Sequence, residues 1–398
     1  MIATAEPVQG HDLTVYSSLP LSGPEAPIAA QIVNGEKLAL AENHGEVGHL
    51  HISLYSLNDA NPRTGHWEPG IVANNAKLAA QDNDAIAYIG DYESEATAIS
   101  LPLTNEADIL QLSPGSPYVG LTSSTDAGQD EPARFYPSGK ATFGRLLPGD
   151  LVEAAAQVAL MRSLGVHTIY TLSDEDPFDI SLVELVTAYA EKAGIRVAGN
   201  ERLQLQAPGE FAATTEKVLA SGAQATFFSG SLEPGTASLW RALHAADSTL
   251  RLLGSDALAS EAFAAQLGSA ASQTFITTPW LSAPRYPAAG QAVLRAYQSR
   301  FHEVAQPYAL AGYGAMSAVL DAIRAAGKHG SSRRAVIEHY FSAANQSGSL
   351  GRSSVEPSGA TSMSEYGVDR VLNGRLEFRR SFHAHAESGP SELTAESG

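Results

Sequence analysis

The 398-residue sequence contains no cysteine. Disulfides, thiolate nucleophiles and cysteine-ligated zinc are excluded outright, though the compartment is left open. Basic residues are scarce: 25 Lys and Arg face 43 Asp and Glu, a formal charge of -18. No nucleic-acid partner is expected, because counterion release needs a basic footprint, and anionic membranes are disfavoured for the same reason. An anionic ligand would need local donors to overcome the overall field. No apolar run approaches the roughly 18 residues of a membrane span. Residues 1–10 lack the charged and apolar regions of a signal peptide, so the chain reads as cytoplasmic or as a mature exported form with an added Met1. Also missing are a G-x-S-x-G elbow, a P-loop, an H-E-x-x-H helix and a G-x-G-x-x-G turn after a strand. Neither a cofactor nor an enzymatic role is indicated.

What is present is organised around residues 85–116, AIAYIGDYESEATAISLPLTNEADILQLSPGS. The apolar run Ala85–Gly90 reads as a strand stopped by Gly90 and Asp91. Ser94 sits at an N-cap position before a helical pattern reaching Ala107. Residues 109–112 form a second buried-type strand, ended by Ser-Pro-Gly. Such a βαβ unit puts the turns at 91–94 and 113–116 on one edge of a parallel sheet, the edge where open α/β sheets bind ligands. The free N–H groups at the start of the helix suit a carboxylate or phosphate.

The same alternation runs along the chain. A strand at 11–20, a helix at 28–43, a strand at 49–57 and a helix at 70–81 precede the central stretch. Residues 123–149 are irregular, ending in the linker-like GRLLPGD. A second α/β series runs from the helix at 151–164 to a strand at 275–278, which suggests two similar lobes. Helical patterns follow at 291–304, 309–326 and 332–344. A loop-like stretch covers 348–364. Asn373-Gly374 between two strand-like runs marks a hairpin, and the tail from 383 to 398 reads as polar and disordered.

Several residues could carry chemistry. His44, His49 and His51 straddle a helix end and a strand without acidic neighbours at ligand spacing, and read as solvated rather than as a metal site. Gly312-Tyr313-Gly314 inside a helical pattern reads as close helix packing. Asp174, Glu175 and Asp176 follow a strand and suit either acid–base work or capping of the next helix. Asp256 follows the strand at 251–254 and suits either a ligand ammonium or a helix cap. No basic residue lies within four positions after it, and Arg251 points to the opposite strand face. A ligand cation is therefore its expected partner.

The order of short motifs resembles the type I periplasmic solute-binding proteins, specifically the branched-chain amino-acid binding family of ABC importers. They are SLPLSGP at 18–24, NGEKLALAE at 34–42, LNDANP at 57–62, IGDYESEAT at 89–97, LSPGS at 112–116, DEDPFDISL at 174–182, FFSGS at 227–231, LGSDA at 253–257 and PYALAGYGAM at 307–316. The resemblance implies an α/β protein of two doubly wound, Rossmann-like lobes joined by three crossover segments. Lobe 1 would take residues 12–144 and 280–327, and lobe 2 residues 150–276 and 328–382. A small amino acid or related polar metabolite would bind in the cleft between lobes, and a membrane ABC permease would receive it. The protein would be extracytoplasmic and monomeric. A ligand-sensing module of a signalling system, which uses the same fold, is the alternative.

Family roles transfer position by position. Ser94 falls where a hydroxyl and adjacent N–H hold the ligand carboxylate, and Ser116 where the backbone holds the head group. Asp256 stands where an acid meets the ligand ammonium, and Phe178 where an aromatic closes over the ligand. Ile28, Tyr92, Ser231 and Tyr308 match the side-chain end of the pocket. Pro117 departs from the family's threonine and offers neither hydroxyl nor N–H. Glu93, beside Ser94, departs from a position often neutral and disfavours an acidic ligand.

Overall fold

The computed structural model describes residues 12–205, 211–343, 346–383 and 394–396. The readings of residues 1–10, and of the tail apart from His383 and 394–396, lie outside those residues. The chain forms two compact units, Met1–Leu147 with Ala283–Met363, and Pro148–Ser282 with Ser364–Gly398, so it passes between them three times.

Unit 1 opens with β1 (Asp12–Leu19), α1 (Ala26–Glu42), β2 (Glu46–Val47), β3 (Leu50–Asn58), α2 (Pro69–Gln81), β4 (Ala85–Ile89), α3 (Ser94–Glu106), β5 (Leu110–Ser113) and β6 (Phe143–Arg145). Its sheet runs β2-β3-β1-β4-β5-β6, with only the short β2 antiparallel. Every residue of β4 is buried, as a strand covered by helices on both faces requires. Strand order reverses at β1, which lies between β3 and β4. The connections leaving β1 and β4 therefore part company at the C-terminal sheet edge, the topological switch point where such sheets hold ligands. Gly90 ends β4 at φ 142°, and a Cβ there would sit 2.4 Å from the Ser18 carbonyl oxygen. Only glycine lets the two strand ends approach so closely.

Unit 2 begins with α4 (Asp150–Ser163), β7 (Thr168–Ser173), α5 (Pro177–Lys192), β8 (Arg196–Arg202), α6 (Ala212–Ala220), β9 (Ala225–Ser229), α7 (Thr236–Ala246), β10 (Arg251–Gly254), α8 (Glu261–Ala264) and β11 (Thr274–Thr278). The core under this sheet centres on Trp240, which meets Phe228 and Phe263 edge-to-face, each at 5.5 Å between centroids. Each such pair contributes about 0.5–1.5 kcal/mol beyond the area it buries.

The chain returns to unit 1 as α9 (Ala288–Phe301), α10 (Tyr308–Ala326), α11 (Arg333–Ser342) and the small hairpin β12 (Gln346–Gly348) and β13 (Gly351–Ser353). It re-enters unit 2 as β14 (Glu365–Leu372), β15 (Arg375–His383) and β16 (Thr394–Glu396). These three strands pair antiparallel and complete an eight-stranded sheet of order β16-β15-β14-β11-β10-β9-β7-β8. Asn373 and Gly374 turn the β14–β15 hairpin at φ 53° and 73°, the paired positive φ of a tight hairpin turn.

Three differences from the sequence reading have physical causes. Residues 328–363 belong to unit 1, because the Arg333 guanidinium donates to the carbonyls of Ala85, Ala107 and Asp82 and docks α11 beneath β4 and β5. The excursion at 123–149 hides β6, a strand of only three residues. In the tail, Thr394–Glu396 adds a strand to β15 where disorder is expected. Among the described residues no helix is long and apolar enough to cross a membrane.

Candidate functional site: the C-terminal sheet edges

In unit 1 the edge is built by the turns that follow β1, β3, β4 and β5. Glu93, not Ser94, occupies the N-cap of α3, and its side chain makes no capping bond. Ser94 is the first helical residue. Its Oγ accepts from the Tyr118 N–H at 3.1 Å, fastening the turn after β5 to the start of α3. Among the described residues the Ser94 hydroxyl donates to no acceptor, and it sits in the first turn of α3. The capping expectation is thus corrected, while the hydroxyl stays beside the positive end of the helix.

Ser116 is fully buried. Its N–H donates to Ser113 Oγ at 2.8 Å, and its hydroxyl lies 2.6 Å from Thr97 Oγ1 and 3.2 Å from the Glu93 carbonyl oxygen. Its own carbonyl accepts from Arg145 Nε at 2.7 Å, and Arg145 Nη2 reaches the Tyr118 carbonyl at 2.6 Å. Both backbone groups of Ser116, where the resemblance places contact with a ligand head group, are therefore engaged inside the protein. Ser116 braces the turn that carries Ser94. Arg145, which closes this network, was missed because β6 was missed.

Ile28, Tyr92 and Tyr308 come together on one apolar cluster. All three are part-buried against Leu19, Ile32 and Val33, and the two rings meet edge-to-face at 6.5 Å.

Carboxyls crowd the same edge. Asp59, just after β3, is fully buried, and neither of its oxygens has a hydrogen-bond partner among the described residues. Burial, then the charge of Asp91, pushes it up to about 8. Asp91 is buried too, but accepts from Tyr88 at 3.1 Å and from Ser100, and rises only to about 6. Both oxygens of Glu93 are buried without a partner, as is Glu25 Oε2. Glu93 is held well above the carboxylate range, first by burial and then by Glu25. The carboxyls of Glu25 and Glu93 lie close without a well-formed hydrogen bond between them. Glu25 and Asp59 were not singled out in the sequence, where Asp59 is marked only by its place directly after a strand and Glu25 only by its place directly before a helix.

In unit 2 the acidic run after β7 works as a capping device. Asp176 accepts from the Phe178 N–H at 2.8 Å and caps α5, with Pro177 at its first position. Asp174 accepts from the N–H groups of Asp176 at 3.0 Å and Ser231 at 2.9 Å. Phe178 and Ser231 are thereby drawn to one stretch of sheet edge. Asp256 lies further along it, opening a short turn after β10. Its partners come from the fold: Tyr366 Oη lies 3.1 Å from its Oδ2 and 2.9 Å from Glu153 Oε2, and the Asp256 N–H donates to Glu153 Oε1 at 3.0 Å. Burial raises both carboxyls, Glu153 furthest. The Asp256 carboxyl thus has partners inside the fold, so its burial alone does not require a ligand cation. The histidines at 44, 49 and 51 are exposed, as read.

Comparison with known proteins bears on the family and the fold. A family model described as periplasmic binding protein matches residues 17–387. An amino acid binding protein of Pseudomonas aeruginosa is 24% identical over 316 residues, 79% of each chain. Among solved structures, a leucine binding protein from Thermotoga maritima superposes with a TM-score of 0.77 at 19% identity, covering 93% of this chain and 98% of that one. A solute binding protein from R. palustris in complex with benzoate gives 0.74 at 15% identity, covering 97% and 98%. These structural likenesses establish the fold, two α/β lobes of the type I periplasmic binding kind. With a family match that spans nearly its whole length, the chain belongs to the periplasmic binding proteins.

Proposed function

We propose that the protein is an extracytoplasmic solute-binding component of an ABC importer. It binds a small amino acid or related polar metabolite and delivers it to a membrane permease, without chemistry on the ligand. The observation that carries the reading is the start of α3, where the Ser94 hydroxyl stands beside the positive end of the helix at the switch point of the sheet. Charge-assisted bonds from such donors suit a carboxylate. The names of similar proteins support this anchor, since leucine and benzoate share a carboxylate and little else. Ile28, Tyr92 and Tyr308 would meet the ligand's apolar part, with Ser116 and Arg145 holding the turn in place. Phe178 and Ser231 keep ligand-facing roles at the edge of unit 2.

Thermal unfolding across a panel of amino acids and small organic acids tests the proposal. A carboxylate-bearing solute present at a hundred times its Kd should add about 2.7 kcal/mol of stability. A flat response across the panel, with no small molecule co-purifying by mass spectrometry, would contradict it.

A further inference from the structure

Asp59, Glu93 and Glu25 leave five carboxyl oxygens buried and unpartnered at one edge of unit 1. Asp59 follows β3, Glu93 follows β4, and Glu25 ends the turn between β1 and α1. The three thus converge from the turns on both sides of the switch point. Each is close enough to another for its charge to be felt: Asp59 responds to Glu25, and Glu93 to both Glu25 and Asp59. An unpaired buried carboxyl costs free energy, and three together compound it. Asp91, beside them, is satisfied by Tyr88 and Ser100 and so differs in kind.

We propose that this cluster is the recognition site for an organic cation, so that the transported solute carries a guanidinium or more than one ammonium group. This rests on the solute-binding reading above and narrows it to basic amino acids and kindred solutes that join such a cation to a carboxylate. A lone metal ion fits poorly, because no three of these carboxyls bring ligand oxygens within 4.8 Å of one another. Ionised by a bound cation, which displaces their protons, the three carboxyls would instead offer their oxygens to a spread of N–H donors. An ammonium offers three and a guanidinium five, so the single ammonium of a neutral amino acid would leave oxygens stranded. Ser94 and the α3 N–H groups, adjacent to Glu93, would take the carboxylate of the same ligand. Asp256, already served by Tyr366 and Glu153, is not needed for the cation.

The test is calorimetric titration of the full chain with L-arginine, L-lysine, agmatine and putrescine against L-leucine, L-glutamine and benzoate. The wild type should bind one of the basic probes at least tenfold more tightly than any neutral or acidic probe. Glu93→Gln and Asp59→Asn should each weaken that probe tenfold or more, while raising or leaving unchanged the melting temperature of the ligand-free protein. The second readout shows that lost binding is not lost folding. Tighter binding of leucine, glutamine or benzoate, or basic-probe binding indifferent to both substitutions, would overturn the cation site and leave the solute-binding reading standing. Silence of every probe would overturn both.

Discussion

Tyr366 offers one O–H to two carboxyl oxygens, so Glu153 and Asp256 cannot both ionise in the fold without one facing a lone pair unanswered. Burial favours the protonated form of both, Glu153 most. Sequence reasoning stopped at Asp256 because its partners lie on α4 and β14, far away in the chain and with nothing in their local pattern to mark them. Tyr366→Phe should cost about 1–3 kcal/mol, the usual consequence of stranding buried acceptors. The loss should be greater at pH 8 than at pH 5, as deprotonation leaves the pair with neither proton nor hydroxyl. Urea unfolding at the two pH values measures it; an equal or negligible loss at both would mean that the hydroxyl does not serve the pair. The place of Ser94 at the C-terminal sheet edge was legible from its position after a strand. Its true bond, to the Tyr118 N–H, was not, because that contact depends on how the turn after β5 folds back.

Among the elements, α1 and α10 make the closest helix pair of unit 1, and glycine sets their approach. A Cβ on Gly312 would lie 1.9 Å from the Ile32 carbonyl oxygen, and one on Gly35 would lie 2.2 Å from that of Ala309. The glycine-rich patch in the helical pattern was read as close packing, and Gly312 is packed that way. Gly314, two residues on, has nothing nearer than 3.6 Å to the same added atom. Gly312→Ala should therefore destabilise by about 1–3 kcal/mol or more through overpacking. Gly314→Ala should be neutral or stabilise by up to about 1 kcal/mol, the helix preference for alanine. Chemical denaturation of the two variants side by side decides the point, and equal effects would contradict it. The long strands and helices were readable because their apolar periods are strong. The three-residue β6 and the docking of α11 through the Arg333 guanidinium were not, since short strands lack a period and a single docking side chain leaves no pattern.

For the whole molecule, a charge of -18 is only the formal count. Burial raises several acids: Glu36 and Asp59 to about 8 and Asp369 to about 7, which keeps protons on them near neutrality, and Asp91 to about 6. In the unfolded chain these groups release their protons near pH 4. Between about pH 4 and 8 the folded protein thus binds more protons than the unfolded one, and its stability falls as pH rises through that window. The melting temperature should be higher at pH 5.5 than at pH 8.5. Glu36→Gln should flatten part of the slope, since Glu36 is fully buried with Ser17 as its hydrogen-bond donor. A melting temperature that rises with pH over this range would refute the assignment of buried neutral acids. The central claim, a receptor that anchors a ligand carboxylate at the start of α3, is tested most directly by native mass spectrometry. The protein is freed of co-purified solutes, then mixed with an equimolar panel of amino acids, agmatine and putrescine. The account predicts one dominant one-to-one complex with a carboxylate-bearing solute, depleted about tenfold to a hundredfold in affinity by Ser94→Ala, as for a lost charge-assisted hydrogen bond. An adduct of undiminished abundance in the Ser94→Ala protein, or no adduct in either protein, would contradict it.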